Sequence, residues 1–271
     1  MAPIVLTIAG SDSTSGAGLQ ADLQTLRDCG CEGRSVVTAI TAQTADRVLG
    51  VWPTPADVLT QQLATAAANI QLAAVKIGLI ATAANVWATV WFLRSRRLQH
   101  VVIDPLLHSS SGFSLLDPQA IPIFRQHLLP LASVITPNLA EATALAGMQV
   151  ATVAGMEKAA QEIHAELYRL RGGGPQPLAI IVKGGHLADT AVDVCFDGTR
   201  LEHLEGAHVA GSIHGSGCRF ASVIAAELAK GAPLLLPTAS IKTRIPRKSW
   251  IRKWSSQRGM WPISSIYIRR L

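Results

Sequence analysis

Ser212-Ile213-His214-Gly215-Ser216-Gly217-Cys218 runs directly into the apolar stretch Phe220-Ala221-Ser222-Val223-Ile224-Ala225-Ala226-Glu227-Leu228, and reads as a glycine-rich turn that opens a helix. Glycines let a ligand come close to the backbone, and the first turn of a helix leaves N–H groups unpaired at the positive end of its dipole. The stretch predicts an anion site, phosphate above all. Cys218 falls on the helix N-terminus, where a thiol tends toward a lowered pKa. Read alone, the same residues are equally a tight turn carrying a small buried cysteine.

Upstream of that turn, short β-branched runs alternate with longer Ala/Leu-rich segments of helical period, the pattern of βαβ units wound into a parallel sheet. Strands are predicted at Ile4–Ala9, Ser35–Ile40, Ala74–Ile77, Val101–Asp104, Val134–Thr136 and Leu178–Lys183. Helices are predicted at Leu19–Cys29, Pro55–Asn69, Ala83–Arg96, Pro118–His127, Leu139–Ala146, Val153–Arg171 and Gly217–Lys230. Alternation from Asp189 to Leu204 around Asp197-Gly198 predicts a hairpin at an antiparallel edge. Open sheets of this kind bind ligands at the carboxyl ends of their strands. The polar residues collect there: Gly10 to Gly18 after the first strand, Thr41-Ala42-Gln43 after the second, Gly78 after the third and Asp104 after the fourth. Asn138-x-x-Glu141 follows the fifth and Lys183-Gly184-Gly185-His186 the sixth.

With 271 residues, 49% hydrophobic and 15% charged, the chain has the makings of one large α/β domain, predicted over residues 1–231. The net charge of +6 comes from residues 232–271, which hold nine of the 24 Lys and Arg and no Asp or Glu. Residues 1–231 carry 15 basic against 18 acidic side chains, so charge gives no reason to expect nucleic acid at the folded domain. No leader pattern and no membrane-length apolar run appear, and a cytoplasmic location is the expectation. Cys29, Cys31, Cys195 and Cys218 show no C-x-x-C pair and no zinc-finger spacing, which predicts reduced thiols.

The first Gly/Ser loop, Gly10-Ser11-Asp12-Ser13-Thr14-Ser15-Gly16-Ala17-Gly18, lacks the closing Gly-Lys-Ser/Thr of a Walker A motif and reads as a substrate loop or an ordinary βα turn. Gln43 offers a donor and an acceptor, which suits a heterocycle with a ring nitrogen beside an amino group. Asn138 and Glu141 at a helix start place an amide oxygen and a carboxylate on one face. They suit hydrated Mg²⁺ near phosphates, or equally an N-cap with its capping-box glutamate. Asp104 could join such a metal or satisfy backbone donors, and Lys183 could neutralise a nucleotide phosphate or sit solvated at a strand end.

Six motifs in order and register resemble the hydroxymethylpyrimidine/phosphomethylpyrimidine kinases of thiamine biosynthesis. These are Ile8-Ala9-Gly10-Ser11-Asp12 with Gly16-Ala17-Gly18-Leu19-Gln20-Ala21-Asp22, Thr38 to Gln43, Lys76-Ile77-Gly78, Thr136-Pro137-Asn138-x-x-Glu141-Ala142, Lys183 to His186, and His214 to Cys218. The resemblance spans about residues 4–231 and implies a ribokinase-like three-layer α/β/α sandwich with a mostly parallel central sheet. It implies ATP- and Mg²⁺-dependent phosphorylation of 4-amino-5-hydroxymethyl-2-methylpyrimidine and then of its monophosphate, and, as ribokinase-like folds often show, a homodimer. By the family's pattern Gln43 would pair with the pyrimidine, with Gly10, Ala17 and Asp22 at the substrate. Asp104, Glu141 and Asn138 would organise Mg²⁺, and Lys183 and Ser216 would face the nucleotide. Gly215 and Gly217 would supply N–H groups to the transferred phosphoryl group, and Cys218 stands where other ribokinase-like enzymes place a catalytic Asp.

The resemblance stops after Gly231. The sequence continues with Pro233-Leu234-Leu235-Leu236-Pro237 and a basic, Trp-containing tail with Pro246 and Pro262, in place of the family's final helices. Two rival readings follow: a pyridoxal kinase, which Gln43 disfavours, and a pyrimidine-binding protein whose nucleotide side was lost with its C-terminus. A basic tail of this kind could also bind anionic membrane or nucleic acid, though such tails are commonly disordered.

Overall fold

The computed structural model describes residues 1–44, 47–96, 98–109, 112–184, 191–206 and 215–234. The tail from residue 235 onward, and the motif residues Gly185, His186 and Ser212 to His214, lie outside them.

Nine strands form one sheet in the order β3-β2-β1-β4-β5-β6-β7-β8-β9. They are β1 (Ile4–Asp12), β2 (Glu32–Gln43), β3 (Val48–Pro53), β4 (Ala74–Ile77), β5 (Val101–Ile103), β6 (Val134–Ile135), β7 (Ala179–Val182), β8 (Ala191–Phe196) and β9 (Leu201–Gly206). Pairing is parallel from β2 through β7 and antiparallel at both edges, where β3 pairs with β2 and β8 and β9 complete a hairpin. The predicted hairpin turn holds, with Gly198 at φ +95° beside Asp197, whose carboxylate accepts the backbone N–H groups of Thr199 and Arg200.

Successive side chains on a strand point to opposite faces, and the central strands are apolar on both. Leu6, Val75, Ile103, Ile135 and Ile180 pack on one face under α2 (Ala56–Ala66), α3 (Ala83–Ser95), α5 (Leu139–Ala146) and α6 (Val153–Leu170). Their neighbours Val5, Ala74, Val102, Val134 and Ala179 pack on the other under α1 (Gly18–Asp28) and α7 (Ser216–Ala229). Both faces are buried, which gives the three-layer α/β/α sandwich.

Two departures from the sequence expectation have local causes. The predicted helix Pro118–His127 is broken into a 3₁₀ turn, one α turn (α4, Ile121–Ile123), a π turn (Phe124–Leu128) and a second 3₁₀ turn (Leu129–Leu131). Pro122 and Pro130 remove N–H donors and disturb the regular i to i−4 ladder. The second departure is β3, which the sequence pattern does not predict. It is a short edge strand ending in Pro53, a residue tolerated at an edge because its missing N–H faces away from the ladder.

Candidate active site

The parallel ladder continues for one or two residues past the strand ends, and this aligns the polar residues. Gly78 donates its N–H to the Ile8 carbonyl, Asp104 to Ile77, Thr136 to Ile103 and Lys183 to Pro137, at 2.8 to 3.0 Å. Asn138 and Lys183 form an isolated parallel bridge. Gly10, Gly78, Asp104, Thr136, Asn138 and Lys183 therefore lie in one row along the carboxyl edge of the sheet.

Asp104 sits fully buried in this row, and its Oδ1 accepts the Lys183 ammonium at 2.8 Å and the Thr136 hydroxyl at 3.2 Å. Its Oδ2 has no hydrogen-bond partner, and neither has Oε1 of Glu141. The other Glu141 oxygen closes a capping box, accepting from Asn138 N at 2.8 Å while Asn138 Oδ1 accepts from Glu141 N at 2.9 Å. Of the two readings open in the sequence, the capping box is the one formed: Asn138 is the N-cap, and one oxygen of Glu141 is left without a partner. Burial pushes the Glu141 carboxyl up to about 8, with Lys183 opposing and Asp104 adding to the shift. Burial disfavours the Lys183 charge, but Asp104 and Glu141 outweigh it and raise its pKa. Two buried, unsatisfied carboxylate oxygens beside a lysine suit a hydrated hard cation carrying phosphates. Among the described residues no group of three or more His, Cys, Asp or Glu is placed to hold a metal ion by itself.

The helix N-terminus faces the same row. Gly215 is the N-cap of α7 at φ +76°, and no side chain caps the helix, so the first-turn N–H groups point out of it. A Cβ on Gly217 would lie 3.0 Å from Lys183 Nζ and 3.7 Å from Asp104 Oδ2, so the helix start, the lysine and the carboxylate converge. Ser216 is exposed on the first turn, where its backbone N–H is one of those left free by the helix. The first loop closes the other side: Asp12 accepts the backbone N–H groups of Thr14 and Ala17, and a Cβ on Gly215 would lie 2.1 Å from the Gly16 carbonyl. Gln43 and Ala17 are half-buried, at the end of β2 and at the N-cap of α1.

Two expectations are corrected. Cys218 is 7% exposed, and its thiol is pushed up to about 11 rather than lowered. Burial dominates; Lys76 opposes it, Asp104 and Asp22 add to it, and the Gly18 backbone N–H bonds the sulfur. A helix N-terminus lowers a thiol's pKa only where desolvation does not outweigh it. Asp22 does not line the substrate side. It is fully buried, and its two oxygens are taken by Thr7 at 2.6 Å, Ser222 at 2.8 Å and Lys76 at 2.8 and 2.9 Å. Thr136 joins the site through Asp104, and Lys76 and Ser222 lie beneath it on Asp22, although the sequence reading gives them no role there. A charged residue inside the strand Ala74–Ile77 is the available signal for Lys76.

A family model for phosphomethylpyrimidine kinase matches residues 12–243. The chain belongs to the phosphomethylpyrimidine kinase family. Over 245 residues it is 40% identical to a hydroxymethylpyrimidine/phosphomethylpyrimidine kinase of Rhizobium meliloti, covering 89% of this chain and 88% of that protein. It is 40% identical over 237 residues to the thiamine biosynthetic bifunctional enzyme TH1 of Arabidopsis thaliana, covering 86% of this chain and 44% of that longer protein. The solved pyridoxal kinase of Staphylococcus aureus in complex with AMP-PCP superimposes with a TM-score of 0.78 at 34% identity, covering 89% of this chain and 86% of that one. A phosphomethylpyrimidine kinase is a phosphotransferase, and the fold is the ribokinase-like sandwich of these relatives.

Proposed function

We propose that this chain transfers the terminal phosphoryl group of ATP, with Mg²⁺, to the hydroxymethyl group of 4-amino-5-hydroxymethyl-2-methylpyrimidine and then to the resulting monophosphate. The observation that carries this reading is the convergence of Asp104 and Lys183 with the uncapped N-terminus of α7. Phosphoryl transfer asks for in-line positioning and for stabilisation of charge on the transferred group. The N–H groups of Ser216, Gly217 and Cys218 meet that charge, Lys183 meets the nucleotide phosphates, and Asp104 with Glu141 would hold Mg²⁺, which would supply positive charge to offset that of the phosphates. Cys218, a neutral thiol at pH 7, orients the attacking hydroxyl. The AMP-PCP complex of the S. aureus relative supports ATP as donor. Gln43 at the end of β2 would take the pyrimidine's amino group and ring nitrogen through its amide.

The test offers the purified full chain Mg-ATP with hydroxymethylpyrimidine, its monophosphate and pyridoxal in parallel, and follows ADP. Turnover of the pyrimidines is expected, and Gln43→Ala should raise the pyrimidine KM about tenfold through loss of the paired hydrogen bonds. Turnover of pyridoxal alone would assign the chain to the activity of its S. aureus relative. Pyrimidine binding without turnover would leave a binding protein.

We also propose that the enzyme acts as a homodimer in the cytoplasm. All four cysteines are free thiols, as a reducing compartment requires, and no helix of the described residues is long and apolar enough to cross a membrane. Ile40 and Trp52, cross-strand partners on β2 and β3, expose 60% and 59% of their surface on one face of the sheet edge, where a second copy would cover them. Sedimentation should give twice the chain mass, and Trp52→Lys should give a monomer; a wild-type monomer at micromolar concentration overturns this.

A further inference from the structure

Thr7, Asp22, Lys76 and Ser222 form a closed polar knot in the core beneath the site, and it joins β1, α1, β4 and α7. Lys76 is the largest fully buried side chain among the described residues. Its ammonium lies 2.9 and 2.8 Å from the two oxygens of Asp22, which also accept the Thr7 hydroxyl at 2.6 Å and the Ser222 hydroxyl at 2.8 Å. Ser222 stands four residues after Cys218, on the same face of α7. A Cβ on Gly78 would lie 3.0 Å from Lys76 Nζ, so the ammonium reaches the carboxyl edge of β4, toward the reacting groups.

A buried ion pair is weak support for stability, because desolvating two charges offsets most of their attraction, and apolar residues of the same volume often serve as well or better. We propose that Lys76, held by Asp22, is a positioning residue for phosphoryl transfer: it seats the N-terminus of α7 through Ser222 and supplies a fixed positive charge under Cys218. The proposal rests on the kinase reading for its chemistry, but not for its first test. The groups that act on Cys218 are Lys76 on β4, Asp22 on α1, Asp104 and Lys183 in the strand-end row, Arg219 on α7 itself, and the Gly18 N–H. Only Lys76 and Asp22 belong to the knot, and they act on the thiol with opposite sign.

Iodoacetamide labelling of the full chain at pH 8, without nucleotide or pyrimidine, would be followed by mass spectrometry on the peptide holding Cys218. Asp22→Asn leaves the lysine charge unbalanced and should speed labelling; Lys76→Met leaves the carboxylate and should slow it. Each change should be about tenfold, because the thiolate fraction at pH 8 moves tenfold when the thiol pKa moves by about one. Changes in the same direction for both variants, or no change, would reduce the knot to a packing device and overturn the proposal. If either single variant fails to fold, the double variant Asp22→Asn with Lys76→Met decides, since it removes both charges at nearly constant volume. It should label more slowly than wild type and lower kcat about tenfold with the pyrimidine KM unchanged. A double variant with wild-type labelling and kcat overturns the proposal. A wild-type protein without turnover would defeat the kinase reading and leave the labelling arm standing.

Discussion

Replacing Asp104 with asparagine is expected to lower kcat/KM for ATP by about 10²–10³-fold, and to lower the melting temperature of the ligand-free protein because Lys183 loses the charge that offsets its burial. Asparagine keeps an Oδ1 that can still accept from Thr136 and Lys183, so the local shape survives. The lost feature is the charge, and with it the second oxygen, Oδ2, which has no partner inside the protein. Steady-state kinetics at varied Mg²⁺ should show the defect growing as metal is lowered; equal activity at all Mg²⁺ concentrations would remove Asp104 from the metal site. Glu141 adds a pH signature. Its carboxyl stands at about 8 against an ordinary value near 4.5, so the folded protein holds a proton there up to about pH 8. Metal requires the ionised form, so apparent Mg²⁺ affinity should rise with pH to about 8 and level off above it. Stability of the metal-free protein runs the other way: the contribution of the neutral, buried carboxyl is complete below about 4.5 and is lost as pH rises through about 8. Melting curves between pH 6 and 9, with and without Mg-ATP, would show both slopes.

The sheet is legible where strands are short, β-branched and buried on both faces, and Ala74–Ile77 is recovered with the same bounds. β3 escapes the pattern because Val48-Leu49-Gly50-Val51-Trp52-Pro53 contains a glycine and a proline, residues that local propensity reads as strand breakers, and its strand state comes from pairing with β2. At the site, the residues of the strand-end row announce themselves by interrupting the apolar pattern: Gly10, Asp104, Asn138 and Lys183. Burial is the quantity that a single sequence hides. Asp22 reads as a polar residue on a first helix after a polar loop, and only the packing of α1 against β1, β4 and α7 shows that its oxygens are already engaged. Cys218 is the same lesson with opposite sign. The helix start is visible in the sequence, whereas the desolvation that outweighs the dipole is not.

Gly215→Ala should have an effect of similar size by a different route, through geometry rather than charge. The residue sits at φ +76°, a region costly for any residue with a Cβ, and the added methyl would fall 2.1 Å from the Gly16 carbonyl and 2.9 Å from the Ala17 Cα. Both contacts are backbone, so no side-chain rotation relieves them; either the first loop or the start of α7 must move. The neighbouring glycine leaves little slack, because Gly18 is itself at φ +57° with its Cβ position 2.4 Å from the Gly10 carbonyl. Movement of α7 carries the N–H groups of Gly217 and Cys218 away from Lys183 and Asp104. A displacement of about 1 Å costs about 10²-fold in rate where positioning carries the chemistry. The expected result is a kcat lowered by about that factor for the pyrimidine and for its monophosphate alike, since both reactions use the same helix start. A Gly217→Ala variant supplies the contrast: its Cβ meets the far end of the Lys183 side chain at 3.0 Å, a contact that a flexible lysine can yield. Its defect should fall mainly on the KM for ATP. Equal kcat losses in the two variants would mean that the contact between the first loop and α7 plays no special part, and that the N-terminus of α7 tolerates no added bulk at either position.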